Sequence, residues 1–212
     1  MVKNIMMIEL IGLPGSGKST YSKKYIEEYK MINLMDEYLY SDSRVKQNIN
    51  KVKLVSYLFN KKKKYCFGLY KIFSKIEFSS LKKKLKMLLY LYSVVAICEK
   101  AKSEIYDNDI IIDEGVNQVI WGLLYNSEKS ERAILDLQGY LKEYFGDEII
   151  FLQINKKILE KRLLNRNGKG GAELNHDIKN NREKLNYAYT LMEKVKNGIE
   201  KNGVTINASE SV

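Results

Sequence analysis

The chain has 212 residues, 45% hydrophobic and 29% charged, which is enough for one α/β domain with a sizeable core and too few for two comfortable ones. Two cysteines, Cys66 and Cys98, lie far apart without metal-ligand spacing; they exclude a disulfide framework and fit free thiols in a reducing cytoplasm. A formal charge of +10 invites a nucleic-acid or membrane reading, but the excess gathers in one middle segment, at residues 61–64, 82–84 and 86, against a chain-wide bias to Lys, Asn, Ile and Tyr.

The apolar run over residues 5–11 predicts a first strand, and the helical spacing of Tyr21, Tyr25 and Tyr29 predicts a helix over 18–29. A short strand is expected over 31–35, ending at Asp36-Glu37. Residues 38–102 read as a long, mostly helical excursion, with apolar positions recurring at three and four. Its most apolar stretch, residues 87–98, falls short of the ~20 residues a membrane-spanning helix needs and reads as a buried helix. Nothing in the opening residues reads as a secretory leader, so the expected location is cytoplasmic.

Beyond residue 102, Ile110-Ile111-Ile112 predicts a buried strand that delivers Asp113-Glu114 at its end, followed by a helix with Val116, Val119, Ile120, Leu123 and Leu124 on one face. A strand over 148–154 leads to a basic helix over 156–165 and a glycine-rich loop over 167–171. A long helix over 175–197 and a last strand over 204–206 complete the pattern. Strands alternating with helices imply a single α/β domain over 1–212, with a mostly parallel sheet and helices on both faces. Ligands of such sheets sit at the carboxyl ends of the strands.

Directly after the first strand comes Gly12-Leu13-Pro14-Gly15-Ser16-Gly17-Lys18-Ser19-Thr20, a match to the G-x-x-x-x-G-K-[ST] phosphate loop with the strand and helix it requires on either side. Its glycines remove Cβ atoms where the chain must curl, so that backbone N–H groups can face phosphate oxygens. Lys18 supplies a point charge for the β and γ phosphates, Ser19 a hydroxyl for Mg²⁺, and the helix its positive N-terminal dipole. The expected ligand is therefore a nucleoside triphosphate with Mg²⁺. Asp113, after three apolar residues, is the candidate carboxylate that helps hold the metal.

Arg162 and Arg166, four apart on the helix entering the glycine-rich loop, are candidates to close over the phosphates as a lid spanning about 162–176. Asp36, Glu37 and Glu114 are candidates to orient the acceptor or take its proton, with no basis in the sequence to choose among them. Lys169 is a weaker phosphate contact, His176 reads as an exposed lid-flank residue, and Trp121 as packing.

The order of these motifs resembles the P-loop small-molecule kinases, in particular nucleoside and nucleotide kinases of the thymidylate kinase type. The resemblance rests on the phosphate loop, on Ile110-Ile111-Ile112-Asp113-Glu114-Gly115, on Phe151-Leu152-Gln153-Ile154 with Lys161-Arg162-Leu163-Leu164-Asn165-Arg166, and on Val204-Thr205-Ile206-Asn207-Ala208-Ser209. It implies transfer of the ATP γ-phosphate to a hydroxyl or phosphate of a small acceptor, such as a nucleoside, nucleotide or sugar. It also implies that residues 38–102 cover the acceptor and that Asn207, Ala208 and Ser209 lie near the donor base. The acceptor half departs from the family, which carries Asp-Arg-Tyr where this chain has Asp113-Glu114-Gly115 and Arg-Glu-Pro where it has Met35-Asp36-Glu37.

Lesser alternatives are a 5′-polynucleotide kinase, with the middle lysines tracking a nucleic acid, and a P-loop module that signals by shape. A homodimer is compatible with the sequence.

Overall fold

The computed structural model describes residues 5–41, 43–104, 106–165 and 173–210. Among them five strands, β1 (Met7–Ile11), β2 (Ile32–Asn33), β3 (Ile110–Ile112), β4 (Glu148–Gln153) and β5 (Ile206–Glu210), form one parallel sheet in the order β2-β3-β1-β4-β5. Alternation along β1 splits the core. Ile8 and Leu10 meet Met31, Ile111, Ile150 and Leu152 beneath α1 (Lys18–Tyr29), while Met7 and Ile11 join the larger cluster on the opposite face.

That larger cluster is built by α3 (Arg44–Phe73), α4 (Leu81–Ser103), α5 (Val116–Asn126), α6 (Glu131–Tyr140) and α9 (Glu183–Lys201), after the short α2 (Leu34–Tyr38). α7 (Lys156–Asn165) contributes Leu159 and Leu163, and α8 (Glu173–Asn180) contributes Leu174 and Ile178. Of the apolar stretch 87–98 expected to be buried, residues 91–98 are enclosed within α4 and residues 87–90 are half-buried. Among the described residues no helix is long and apolar enough to cross a membrane.

Three local expectations give way to polar side chains and turns that interrupt regular structure. Strand β2 stops at Asn33, whose side-chain oxygen accepts the Met35 N–H at 3.0 Å and starts α2, so Asp36 and Glu37 stand in a helical turn. The excursion over 38–102 is mostly helical as expected, in two helices parted at residues 74–80, where Ser80 caps α4 by accepting the Lys83 N–H. The helix expected over 175–197 is two, α8 and α9, with Asn181 accepting the Glu183 N–H at 2.8 Å between them. Gly203, at φ 82, turns the chain after α9 and carries the Val204 N–H back to the Ile199 carbonyl, which delays β5 to Ile206.

Glu9 breaks the apolar run of β1, pointing into the larger core at 2% exposure. Its carboxylate accepts the Asn117 backbone N–H at 2.8 Å and the Asn117 amide at 3.0 Å, and Gln138 donates in turn to Asn117 at 3.1 Å. Glu9 thus caps the first turn of α5 from inside the sheet. A Cβ at Gly115 would stand 2.5 Å from the Glu9 carboxyl carbon, so the third position of the Asp113-Glu114-Gly115 segment admits no side chain.

Burial pushes the Glu9 carboxyl up from about 4.5 to about 7, against the Asn117 and Gly146 hydrogen bonds that pull it down. The native state therefore binds this proton more tightly than the unfolded chain does. Its contribution to stability is fully present below about pH 4.5 and is lost as pH rises through about 7, by on the order of 3 kcal/mol. Chemical denaturation from pH 4.5 to 8 should show the stability of Glu9→Gln gaining on that of the unsubstituted protein by about this amount; a difference that stays constant across the range contradicts the assignment.

Candidate active site

After Ile11 the chain curls through Gly15 at φ 89 and Gly17 at φ 94, left-handed conformations that a residue with a Cβ resists. The Ser16 N–H closes the curl on the Leu13 carbonyl at 3.0 Å. Lys18 is only 8% exposed and folds back to donate from Nζ to the Gly12 carbonyl at 2.8 Å. Gly17 is the N-cap of α1 without a capping side chain, so the first-turn N–H groups face the concavity of the loop, where an anion is the natural partner.

The loop is braced from two sides. Gln118, on α5, accepts the Gly12 N–H at 3.2 Å, and Arg162, on α7, reaches the Gly15 carbonyl at 3.5 Å. Leu159 and Leu163 pack where a Cβ at Gly15 would fall, 3.0 and 3.1 Å away. Pro14 is half-buried, Ser19 and Thr20 are exposed at the mouth, and Ser16 Oγ is buried without a hydrogen-bond partner.

Asp113 directly follows β3 at 5% exposure, with Oδ1 buried and unpartnered. Burial, then Glu114 and Asp36, push its carboxyl up to about 6, against an Asn33 hydrogen bond and the charge of Lys18. Asn33 also donates to Asp36 at 3.1 Å, which ties the end of β2 to the end of β3. The structure separates two residues that the sequence left equivalent: Asp36 faces Asn33 and Asp113, whereas Glu37 lies against the Tyr38 phenol.

Glu114 is held by two phenols, its Oε2 accepting Tyr40 at 2.9 Å and Tyr90 at 2.6 Å. Burial and this carboxylate raise both phenols, so they stay protonated donors. The Lys51 ammonium lies 5.9 Å from the Tyr90 ring centre, lowered by burial and by Lys86.

Lys18, Asp113, Asp36 and Arg162 are thus brought to one edge of the sheet around the curled loop. Asn207 and Ala208 are not. They pair with Ile150 and Phe151 inside β5, and the Asn207 amide donates to Glu148 at 2.7 Å, leaving Ser209 and Glu210 at the strand's carboxyl end. A separate cleft of about 270 Å³ opens beside the loop between Leu13, Gln153, Tyr189 and Glu193. Arg166, Lys169 and the glycine-rich loop lie outside the described residues. His176 is exposed, and Trp121 is buried with its indole N–H on the Ala188 carbonyl at 3.2 Å.

Sequence reasoning missed Asn33, Gln118, Tyr40 and Tyr90. An Asn before a helical pattern is a capping signal that could have found Asn33. The tyrosines are hidden among 16 of their kind, and nothing local marks Gln118.

No protein-family model matches the chain, and no curated protein matches it in sequence. Solved structures do match in fold. Deoxyadenosine kinase from M. mycoides with bound dATP is 14% identical, with 97% of this chain and 91% of that chain covered and a TM-score of 0.54. The same enzyme with products dCMP and a flexible dCDP is 15% identical, covering 97% and 88%, at a TM-score of 0.49. With bound dCTP it is 15% identical, covering 97% and 90%, at a TM-score of 0.47. The chain shares its α/β fold with this deoxyadenosine kinase.

Because Gln118 holds the first amide of the loop, Gln118→Leu should raise the Kd for magnesium ATP several-fold while circular dichroism stays unchanged. An unchanged Kd in calorimetry would show that the loop needs no tether there.

Proposed function

We propose that the protein is an ATP- and Mg²⁺-dependent phosphotransferase that passes the γ-phosphate to a small acceptor of the nucleoside, nucleotide or sugar kind. The observation that carries this is the pairing of Lys18, folded into the glycine curl, with a buried, unpartnered Asp113 oxygen across the same cleft. A buried carboxylate oxygen without a donor costs stability unless a ligand or cation meets it. The fold likeness to deoxyadenosine kinase, a protein solved with bound dATP, supports the nucleoside-kinase form of this reading.

Phosphoryl transfer asks a protein for alignment and positive charge more than for covalent chemistry. The curled N–H groups and Lys18 bind and orient the triphosphate, and Arg162 stands beside Gly15 to add charge as it develops on the transferring group. Arg166 is proposed to join it when the lid closes, excluding water. Ser19 and Asp113 are the residues that would hold Mg²⁺, directly or through water; when bound, the ion neutralises charge between the β and γ phosphates. Asp36 is the better-placed group to take the acceptor's proton, since it faces Asp113 and Glu37 does not. Residues 38–102 are proposed to cover the acceptor.

The middle lysines are partly engaged in the fold itself, which weakens the polynucleotide reading. Lys61 and Lys62 each lie 3.5 Å from Glu99, and Lys84 donates to the Ser74 carbonyl at 2.7 Å.

Lys18→Ala should lower γ-phosphate transfer by roughly a hundredfold or more with the fold kept, as measured by ADP release over a panel of acceptors. Normal turnover by that variant removes the donor-site assignment. Asp113→Asn should shift the Mg²⁺ titration of turnover to higher concentration, about tenfold. An unmoved titration means another group holds the ion.

A further inference from the structure

The acceptor side of the cleft carries an inverted charge. Where a kinase acting on a monophosphate needs a cation to receive that phosphate, the residue after Asp113 is Glu114, and its carboxylate is immobilised. Tyr40 comes from the segment after α2 and Tyr90 from α4, so two separate elements converge on the one oxygen, Oε2. Tyr40 remains 37% exposed and Glu114 is half-buried, so this tripod reaches the surface rather than lying in the core. Among the described residues no group donates to the other oxygen, Oε1. Asp113 beside it is 5% exposed, with Oδ1 also unpartnered, and Asp36 faces the same space. Two neighbouring carboxylates, each with an oxygen that no described group meets, invite a ligand that donates hydrogen bonds and repel one that brings further negative charge.

We propose that Glu114, locked by Tyr40 and Tyr90, selects the acceptor by accepting a hydrogen bond from its hydroxyl or amine groups and by turning away acceptors that bear a phosphate. The inference rests on the phosphotransferase reading and narrows it: the transferred phosphate is the first the acceptor receives. A fixed carboxylate discriminates in both directions. A polyol or nucleoside supplies the donor that Oε1 lacks, while a phosphomonoester near the reacting atom meets the Glu114 carboxylate with Asp113 and Asp36 close beside it. The Lys51 ammonium lies 5.9 Å from the Tyr90 ring centre, with Lys86 close enough to lower it.

The test uses matched pairs, 2′-deoxynucleosides and their 5′-monophosphates, as acceptors for the full chain with magnesium ATP. The same pairs are also titrated by calorimetry in the presence of a non-hydrolysable ATP analogue. The unsubstituted protein should use nucleosides with kcat/KM roughly a hundredfold or more above the monophosphates, and bind them in the same order. Glu114→Gln should raise the nucleoside KM with little change in kcat and narrow the discrimination about tenfold. Tyr40→Phe and Tyr90→Phe, which leave the charge in place but free the carboxylate, should raise the nucleoside KM while keeping the rejection of monophosphates. A purely structural role for Glu114 would move both acceptors alike. Transfer without discrimination, a preference for monophosphates, binding of neither member of any pair, or an unchanged ratio in Glu114→Gln overturns the proposal and leaves the donor-site assignment standing. Discrimination in binding without transfer supports this selectivity and overturns the phosphotransferase reading instead.

Discussion

Lys18 is a cation at 8% exposure that turns back onto the carbonyl of Gly12, the residue at which its own loop begins. Removing an ammonium from water is costly unless acceptors surround it. Here the acceptors are a backbone carbonyl and, across the cleft, the buried Asp113 carboxylate. Everything at the carboxyl edge of the sheet is arranged around that charge. The curl exists because Gly15 and Gly17 accept left-handed backbone, α1 starts with its N–H groups open, and Gln118 and Arg162 hold the two ends of the loop from different helices. Parallel strands bring these parts to one line, since β1, β2 and β3 all end on the same side.

The cleft is polarised. Its donor side carries Lys18, Arg162 and a helix N-terminus, and its acceptor side carries Asp36, Asp113 and Glu114. On the proposed reading, phosphate oxygens settle on the first side, where charge and N–H groups converge. The second side suits a molecule that gives hydrogen bonds. Behind both, Glu9 fixes the first turn of α5, from which Gln118 reaches the loop. A buried carboxylate in the central strand thus acts on the site by holding the helix that braces it.

Features that rest on local pattern were legible in the sequence. The phosphate loop, the triple isoleucine of β3, and α1 and α7 all stand where periodicity and glycine spacing put them. The features that failed depend on single side chains or on distant partners. Asn33 ends β2 two residues into an apolar run because its amide competes for backbone N–H groups. The turn at Gly203 moves β5 along the chain, so Asn207 sits within the strand on Glu148 instead of at its end. Tyr40, Tyr90 and Gln118 meet their partners across 74, 24 and 106 residues of sequence, a separation no local pattern encodes.

The claim beneath all of this is that the curled main chain and Lys18 grip a triphosphate with its metal. Isothermal calorimetry of magnesium ATP against the full chain addresses it most directly. The account predicts saturable one-to-one binding that weakens at least tenfold when EDTA removes the metal and when AMP replaces ATP. Absence of heat with magnesium ATP, or equal affinity for ATP and AMP, would contradict it.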